Sequence, residues 1–256
     1  MIRHHIENHV AFVTLDNPPA NTWTPEDLDA LEQLVARLEA DRTVYAAVIT
    51  GKGEKFFSAG ADLKSFQGGD KAQARHFIAR FGAAFGALME ARFVTIAAIN
   101  GYAMGGGLEC TLACDIRIAE EHAQMALPEP GVGLLPAGGG TQNLPWLVGE
   151  GWAKRMILAG ERVDAAKALA IGLVQEVVPR GAALAAATAM AERVATLSPR
   201  AVASCKSLIH NARDGVPRRA GLALERERFV DLFDHGDQAE GVRAFLEKRK
   251  PAWKND

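Results

Sequence analysis

The sequence predicts an α/β fold, an α/β core followed by a helical tail, on three observations. Short apolar runs that end in glycine or other turn residues recur through the first half of the chain, segments of helical periodicity lie between them, and beyond about residue 150 the helical pattern continues almost alone. Strands alternating with helices favour parallel pairing through right-handed crossovers, because each helix carries the chain back across the sheet.

Residues 10–16 (VAFVTLD) alternate as a strand does, and NPPAN ends the run. His4, His5 and His9 read as surface histidines at a frayed terminus rather than as a metal tract. Thr24 stands where a helix cap belongs, Pro25 follows at the first helical position, and Leu28, Leu31, Leu34 and Leu38 repeat at helical spacing. YAAVITG (45–51) reads as a buried strand. GEKFFSAGADLKSF is a loop entering a short helix, a longer helix follows over about 72–91, and VTIAAING (94–101) is the next strand. A glycine-rich stretch then opens another helix, and DIRIAE (115–120) is again a strand. In the tail, EGWAKRMILAG, DAAKALAIG, GAALAAATAMAERVATL, SPRAVASCKSLIHNA and PRRAGLALERERFVDLF are helical, with LVQEVV strand-like between them.

Composition narrows the class. With 256 residues, 48% hydrophobic and 23% charged, the chain has the make-up of a globular protein able to bury a continuous core. A formal net charge of −2 disfavours a nucleic-acid partner, although FLEKRKPAWK is locally basic and suits a phosphate-bearing ligand. Three cysteines form no disulfide framework, which points to a reduced compartment. Cys110 and Cys114 share a helical face as a two-ligand metal site would, but free cysteines are so often buried that packed thiols are the better reading. The N-terminus has no apolar signal-like run and no segment reaches membrane-spanning length, so a cytoplasmic location with no membrane partner is expected.

The standard catalytic fingerprints fail. GVGLLP (131–136) has the first two glycines of a dinucleotide loop but Pro136 in the sixth place, and no P-loop, serine-hydrolase elbow or zinc-protease motif occurs. What stands out is INGYAMGGGLEC (99–110), three consecutive glycines before a single carboxylate. Glycines at a helix start let a ligand approach backbone N–H groups that, with the helix dipole, stabilise negative charge. The turn in FSAGADLK (57–64) offers a second free N–H near Ala61. Two such donors on one carbonyl oxygen would stabilise an oxyanion; the alternative is that the glycines merely permit tight helix–strand packing. Glu109 lies in the first turns of the apolar helix and Glu129 in a loop beyond the strand at 115–120, so the two acids can return to one pocket. Burial and mutual repulsion would raise and separate their titrations, as suits proton transfer beside a carbonyl. A backbone-bonded buried acid for Glu109 and a solvated loop acid for Glu129 remain the alternatives.

FFSAGADLKSF, NGYAMGGGLECTLACDIRIAEEHAQMALPEPGVGLLPAGGGTQNLPWLVG, AGERVDAAKALAIGLVQEVVP and EGVRAFLEKRKPAW together resemble the crotonase superfamily, specifically its enoyl-CoA hydratases, over essentially the whole chain. The resemblance implies a crotonase-like spiral of ββα units over residues 1–195, carrying the catalytic site, and a C-terminal helical trimerisation region over 196–256. It further implies acyl-CoA thioester substrates, no metal or redox cofactor, and assembly as a homotrimer or a hexamer of two trimers. Carried over by position, the backbone N–H groups of Ala61 and Gly106 are the oxyanion donors, Glu109 activates water, and Glu129 exchanges a proton with the substrate α-carbon. Ala61, Asp62, Leu63 and Lys64 would lie along the CoA, and Phe245 and Lys248 would reach a neighbouring subunit's adenine end.

Retention of both acids favours hydration over a double-bond shift; an isomerase, another acyl-CoA hydrolase or lyase, and a non-catalytic RNA-binding or scaffold protein are the other readings. The chain departs from the family in having PAGGG where hydratases commonly read PGAGG, which puts the methyl of Ala137 where a glycine N–H lines the pocket. Pro130 after Glu129 stiffens the next loop and removes a donor. Trp23 and Trp146 are read as packing residues rather than as walls of an acyl pocket.

Overall fold

A strand in one sheet, a step to a strand in a second sheet, and a helix back: this unit repeats along the chain. The computed structural model describes residues 1–68 and 70–255. In chain order it begins with β1 (Ile2–Glu7), β2 (Val10–Leu15), α1 (Pro25–Ala40), β3 (Ala46–Gly51), β4 (Phe56–Ser58) and α2 (Lys71–Glu90). Then follow β5 (Val94–Ile99), β6 (Tyr102–Met104), α3 (Gly106–Leu112), β7 (Ile116–Glu120), β8 (Gln124–Ala126) and α4 (Gly140–Leu158). The remainder is β9 (Val163–Asp164), α5 (Ala165–Ala170), β10 (Glu176–Val178), α6 (Ala183–Ala195), α7 (Pro199–Arg213), α8 (Arg218–Asp231) and α9 (Gly236–Leu246).

The first strand of each unit joins a six-stranded sheet ordered β1-β2-β3-β5-β7-β10, and the second joins a four-stranded sheet ordered β4-β6-β8-β9. Pairing is parallel from β2 through β10 and from β4 through β8, and antiparallel for β1 with β2 and β8 with β9. β3–β4–α2, β5–β6–α3 and β7–β8–α4 are thus three turns of the ββα spiral that the resemblance implies. Asn100, at the corner between β5 and β6, ties neighbouring turns together: its Nδ2 donates to the carbonyls of Gly51 (2.8 Å) and Gly53 (2.7 Å), and its Oδ1 accepts from Gly51 N–H at 3.1 Å.

The large sheet is buried on both faces at its centre, in β3 and β5, which is why those strands read as nearly unbroken apolar runs. One face, with Val13, Ile49, Ala97 and Ile99, belongs to the main core. The other, with Val48, Ile96 and Ile118, is covered by Ala183, Ala187 and Ala191 of α6 at successive four-residue steps. Thr24 accepts a bond from Asp27 N–H at 3.2 Å, and α1 buries Leu28, Leu31, Leu34 and Leu38 as its pattern predicts.

Expectation and structure differ in three places. The N-terminus is not frayed: residues 2–7 pair with β2 through a tight turn in which Asn8 and His9 take positive φ. There His5 stacks on Phe12 and His9 on Tyr45, so pairing and ring contact order a segment whose composition reads as polar surface. The strands of the small sheet were not predicted, because runs of two or three residues are too short to show a period. The short helix after FSAG is a single 3₁₀ turn, Leu63–Phe66, capped by Asp62, whose Oδ1 accepts from Lys64 N–H at 3.1 Å.

In the tail, Lys206 of α7 donates to Asp115 Oδ2 at 2.8 Å and to the Phe93 carbonyl at 3.1 Å, fixing that helix to the core. α8 buries none of its residues, and Phe229 and Phe233 stand exposed on that stretch of chain. Cys110 and Cys114 are packed thiols of the main core. Among the described residues, no group of three or more His, Cys, Asp or Glu is placed to hold a metal ion, and no helix is long and apolar enough to cross a membrane.

Candidate active site

The three glycines do separate things. Gly105 precedes α3 with φ 52° and ψ −127°, a conformation that side chains rarely adopt, and a Cβ there would lie 2.9 Å from Glu129 Oε1. Gly107 touches the end of β4 so closely that a Cβ would overlap the Ser58 carbonyl. Gly106, the first residue of α3, directs its N–H to no acceptor among the described residues, as expected in a first helical turn. Packing and a free donor are therefore both present in one triplet, and the two readings of it are not exclusive.

The second donor is held from behind. Trp23 N–H donates to the Gly60 carbonyl at 2.8 Å and the Trp23 carbonyl accepts from Asp62 N–H at 3.0 Å, a parallel bridge centred on Ala61. That bridge uses the groups flanking Ala61, and the Ala61 N–H has no acceptor among the described residues. The turn lies against the start of α3: a Cβ on Gly60 would be 3.2 Å from Gly106 N. Ala61 and Gly106 both line one cavity of about 740 Å³, together with Glu109 and Glu129.

Glu109 is 3% exposed. Its Oε1 accepts from Gly138 N–H and Gly140 N–H, each at 2.8 Å. Burial pushes its pKa up to about 7; the two N–H bonds oppose this and the neighbouring Glu129 charge adds to it. Glu129 opens the 3₁₀ turn Glu129–Val132, is half-buried, and its Oε2 is enclosed without a partner among the described residues. Burial raises its pKa too, with its own backbone N–H opposing. Two carboxyls inclined to hold protons, beside two unengaged N–H donors in an apolar cavity, can polarise a carbonyl and move protons at the carbons next to it.

Of the other expected positions, Asp62, Leu63 and Ala137 line this cavity and Lys64 stands exposed beside it. Phe245, 84% exposed at the end of α9, and Lys248 just beyond it do not line the cavity of their own chain. Trp23 packs in the core against Phe85 with ring centroids 5.5 Å apart, whereas Trp146 is a surface residue. Sequence reasoning missed Gly138 and Gly140 as anchors of Glu109; the signal was in PAGGG, whose N–H groups open α4. It also singled out no side chain of α2 as cavity wall, although Ala74, Ile78 and Phe81 line the cavity there at one-face spacing.

Comparison with known proteins places these features in context. The family model described as enoyl-CoA hydratase/isomerase matches residues 5–256. The short-chain-enoyl-CoA hydratase of Clostridium acetobutylicum is 37% identical over 245 residues, 95% of this chain and 94% of that protein. The 2,3-dehydroadipyl-CoA hydratase of Escherichia coli is 38% identical over 251 residues, 97% of this chain and 96% of that protein. Among solved structures, Pseudomonas aeruginosa DspI superposes with a TM-score of 0.96 at 60% identity, covering 99% of this chain and 96% of that one.

Proposed function

The chain belongs to the enoyl-CoA hydratase/isomerase family, and from that premise we propose that it adds water to a trans-2-enoyl-CoA to give the 3-hydroxyacyl-CoA. The observation that carries this is the convergence of Glu109, Glu129 and the unengaged N–H groups of Ala61 and Gly106 on one cavity. The thioester oxygen accepts from both N–H groups, which draws electrons from the double bond and makes the β-carbon electrophilic. Glu109, ionised and fixed by Gly138 and Gly140, takes a proton from the attacking water. The pair carries one proton between them; in the reactive form it sits on Glu129, which delivers it to the α-carbon as Glu109 takes one from the water.

The chemistry needs neither metal nor redox cofactor, so activity is expected to survive exhaustive treatment with a chelator. Asp62, Leu63 and Lys64 follow the CoA from the carbonyl outward. We place assembly into trimers, alone or paired, on residues 196–256, with Phe245 and Lys248 meeting the adenine end of a CoA in a neighbouring subunit. Light scattering on the purified protein measures the assembly, and a monomer would contradict it.

A double-bond isomerase is the second reading, and the free Oε2 of Glu129 favours it, since an acid that carries a proton between two carbons must not be pinned. One assay separates the two: loss of the conjugated-thioester absorbance on hydration of a trans-2-enoyl-CoA, run beside a 3-enoyl-CoA. Isomerisation without hydration would replace the first reading by the second.

A further inference from the structure

We infer that the acyl group taken by this cavity is a hydrocarbon chain of medium length without a terminal carboxylate, and that the α2 face formed by Ala74, Ile78 and Phe81 measures it. This rests on the enoyl-CoA hydratase reading of the same site. The direction of the chain follows from the donors. Phe81 stands at the reacting end, since a Cβ on Gly106 would lie 2.8 Å from its Cε1. Ile78 is one helical turn farther from that point and Ala74 two turns, and all three line the cavity. Seven helical steps give about 10 Å of wall leading away from the acids. Phe66, its ring tilted against Phe77 with centroids 5.0 Å apart, also lines the cavity, as do Leu134 and Leu135.

Charge decides what such a wall refuses. Among the described residues no Lys, Arg or His lines the cavity, and apart from Glu109 and Glu129 its single charged side chain is Asp62. A substrate with a carboxylate at the far end would lose hydration along this apolar wall without gaining a cation. A methylene gains from the same surroundings, about fourfold in affinity for each one fully buried. Ala74, the smallest of the three wall residues, leaves the far end open to a chain longer than four carbons.

The test measures kcat/KM for trans-2-enoyl-CoA substrates of four, six, eight and ten carbons, and for an eight-carbon substrate bearing a terminal carboxylate. The expected result is a rise of up to about fourfold per methylene between four and eight carbons, with the carboxylated substrate about 100-fold or more below its neutral counterpart. Ala74→Phe is expected to lower the eight-carbon to four-carbon ratio about tenfold, and Ala74→Arg to narrow the gap between carboxylated and neutral substrates. Ile78→Ala tests the same wall by widening it, and is expected to shrink the gain per methylene. Hydration that is fastest with four carbons, or equal for the carboxylated substrate, would overturn the inference and leave the hydratase reading standing. No hydration of any of the five would overturn both.

Discussion

Glu109 and Glu129 line one cavity but are held differently: Glu109 Oε1 accepts two N–H bonds of 2.8 Å from Gly138 and Gly140, while Glu129 Oε2 is enclosed with no partner among the described residues. A carboxylate fixed by two donors keeps one oxygen aimed, as a group that orients water requires. An enclosed carboxyl oxygen without a partner is costly, and a substrate that accepts its proton relieves that cost.

Removing either acid function should therefore disable turnover without unfolding the protein. Glu109→Gln and Glu129→Gln are each expected to lower kcat by about 10²–10⁴, with circular dichroism unchanged. Wild-type turnover in either variant would remove that residue from its role.

The pKa of about 7 at Glu109, up from 4.5 through burial, has consequences for rate and for stability. As the base in hydration Glu109 must be ionised, so kcat/KM should climb as pH rises through about 7. In stability the sign is opposite. A carboxyl whose pKa is higher folded than unfolded binds its proton more tightly in the native state, so its stabilising effect is complete below 4.5 and is lost as pH rises to about 7. The full loss is at most about 3 kcal/mol. Glu109→Gln should accordingly raise Tm relative to wild type on the alkaline side of this window more than on the acid side; equal differences at both ends would contradict the burial account.

Gly107 has no room for a side chain against the Ser58 carbonyl. Gly107→Ala is expected to cost about 1–3 kcal/mol by chemical denaturation, since α3 and β4 must separate to admit the methyl. A neutral substitution would mean that the contact is looser than the packing here.

Lys206 and Asp115 fix α7 to the core with side chains only 8% and 17% exposed. Lys206→Met leaves Asp115 half-buried and without this cation, and is expected to destabilise by about 3–5 kcal/mol, read from urea unfolding. Unchanged stability would show that α7 docks by its apolar contacts alone.

Much of this was legible in the sequence where one residue answers to one physical demand. Thr24 before Pro25, the leucines of α1 and the glycines before Glu109 each carry a local signature, and the structure places them as that signature requires. Features that depend on distant partners were not legible. Gly138 and Gly140 become anchors only because the spiral brings α4's first turn to Glu109, 29 and 31 positions earlier in the chain. Ala74, Ile78 and Phe81 are chemically indistinguishable from core residues until the cavity beside them is seen. The N-terminal hairpin is held by pairing with β2 and by rings stacked on Phe12 and Tyr45, neither of which a local pattern in the histidines announces.

Hydration itself is tested most directly by incubating the purified protein with a trans-2-enoyl-CoA in heavy-oxygen water and analysing the product by mass spectrometry. The expected product is a 3-hydroxyacyl-CoA carrying one labelled oxygen on the β-carbon, formed by the wild type and formed about 10²–10⁴ times more slowly by Glu109→Gln. A substrate recovered without added water, or with only its double bond moved, would contradict the assignment of Glu109 and Glu129 as a hydrating pair.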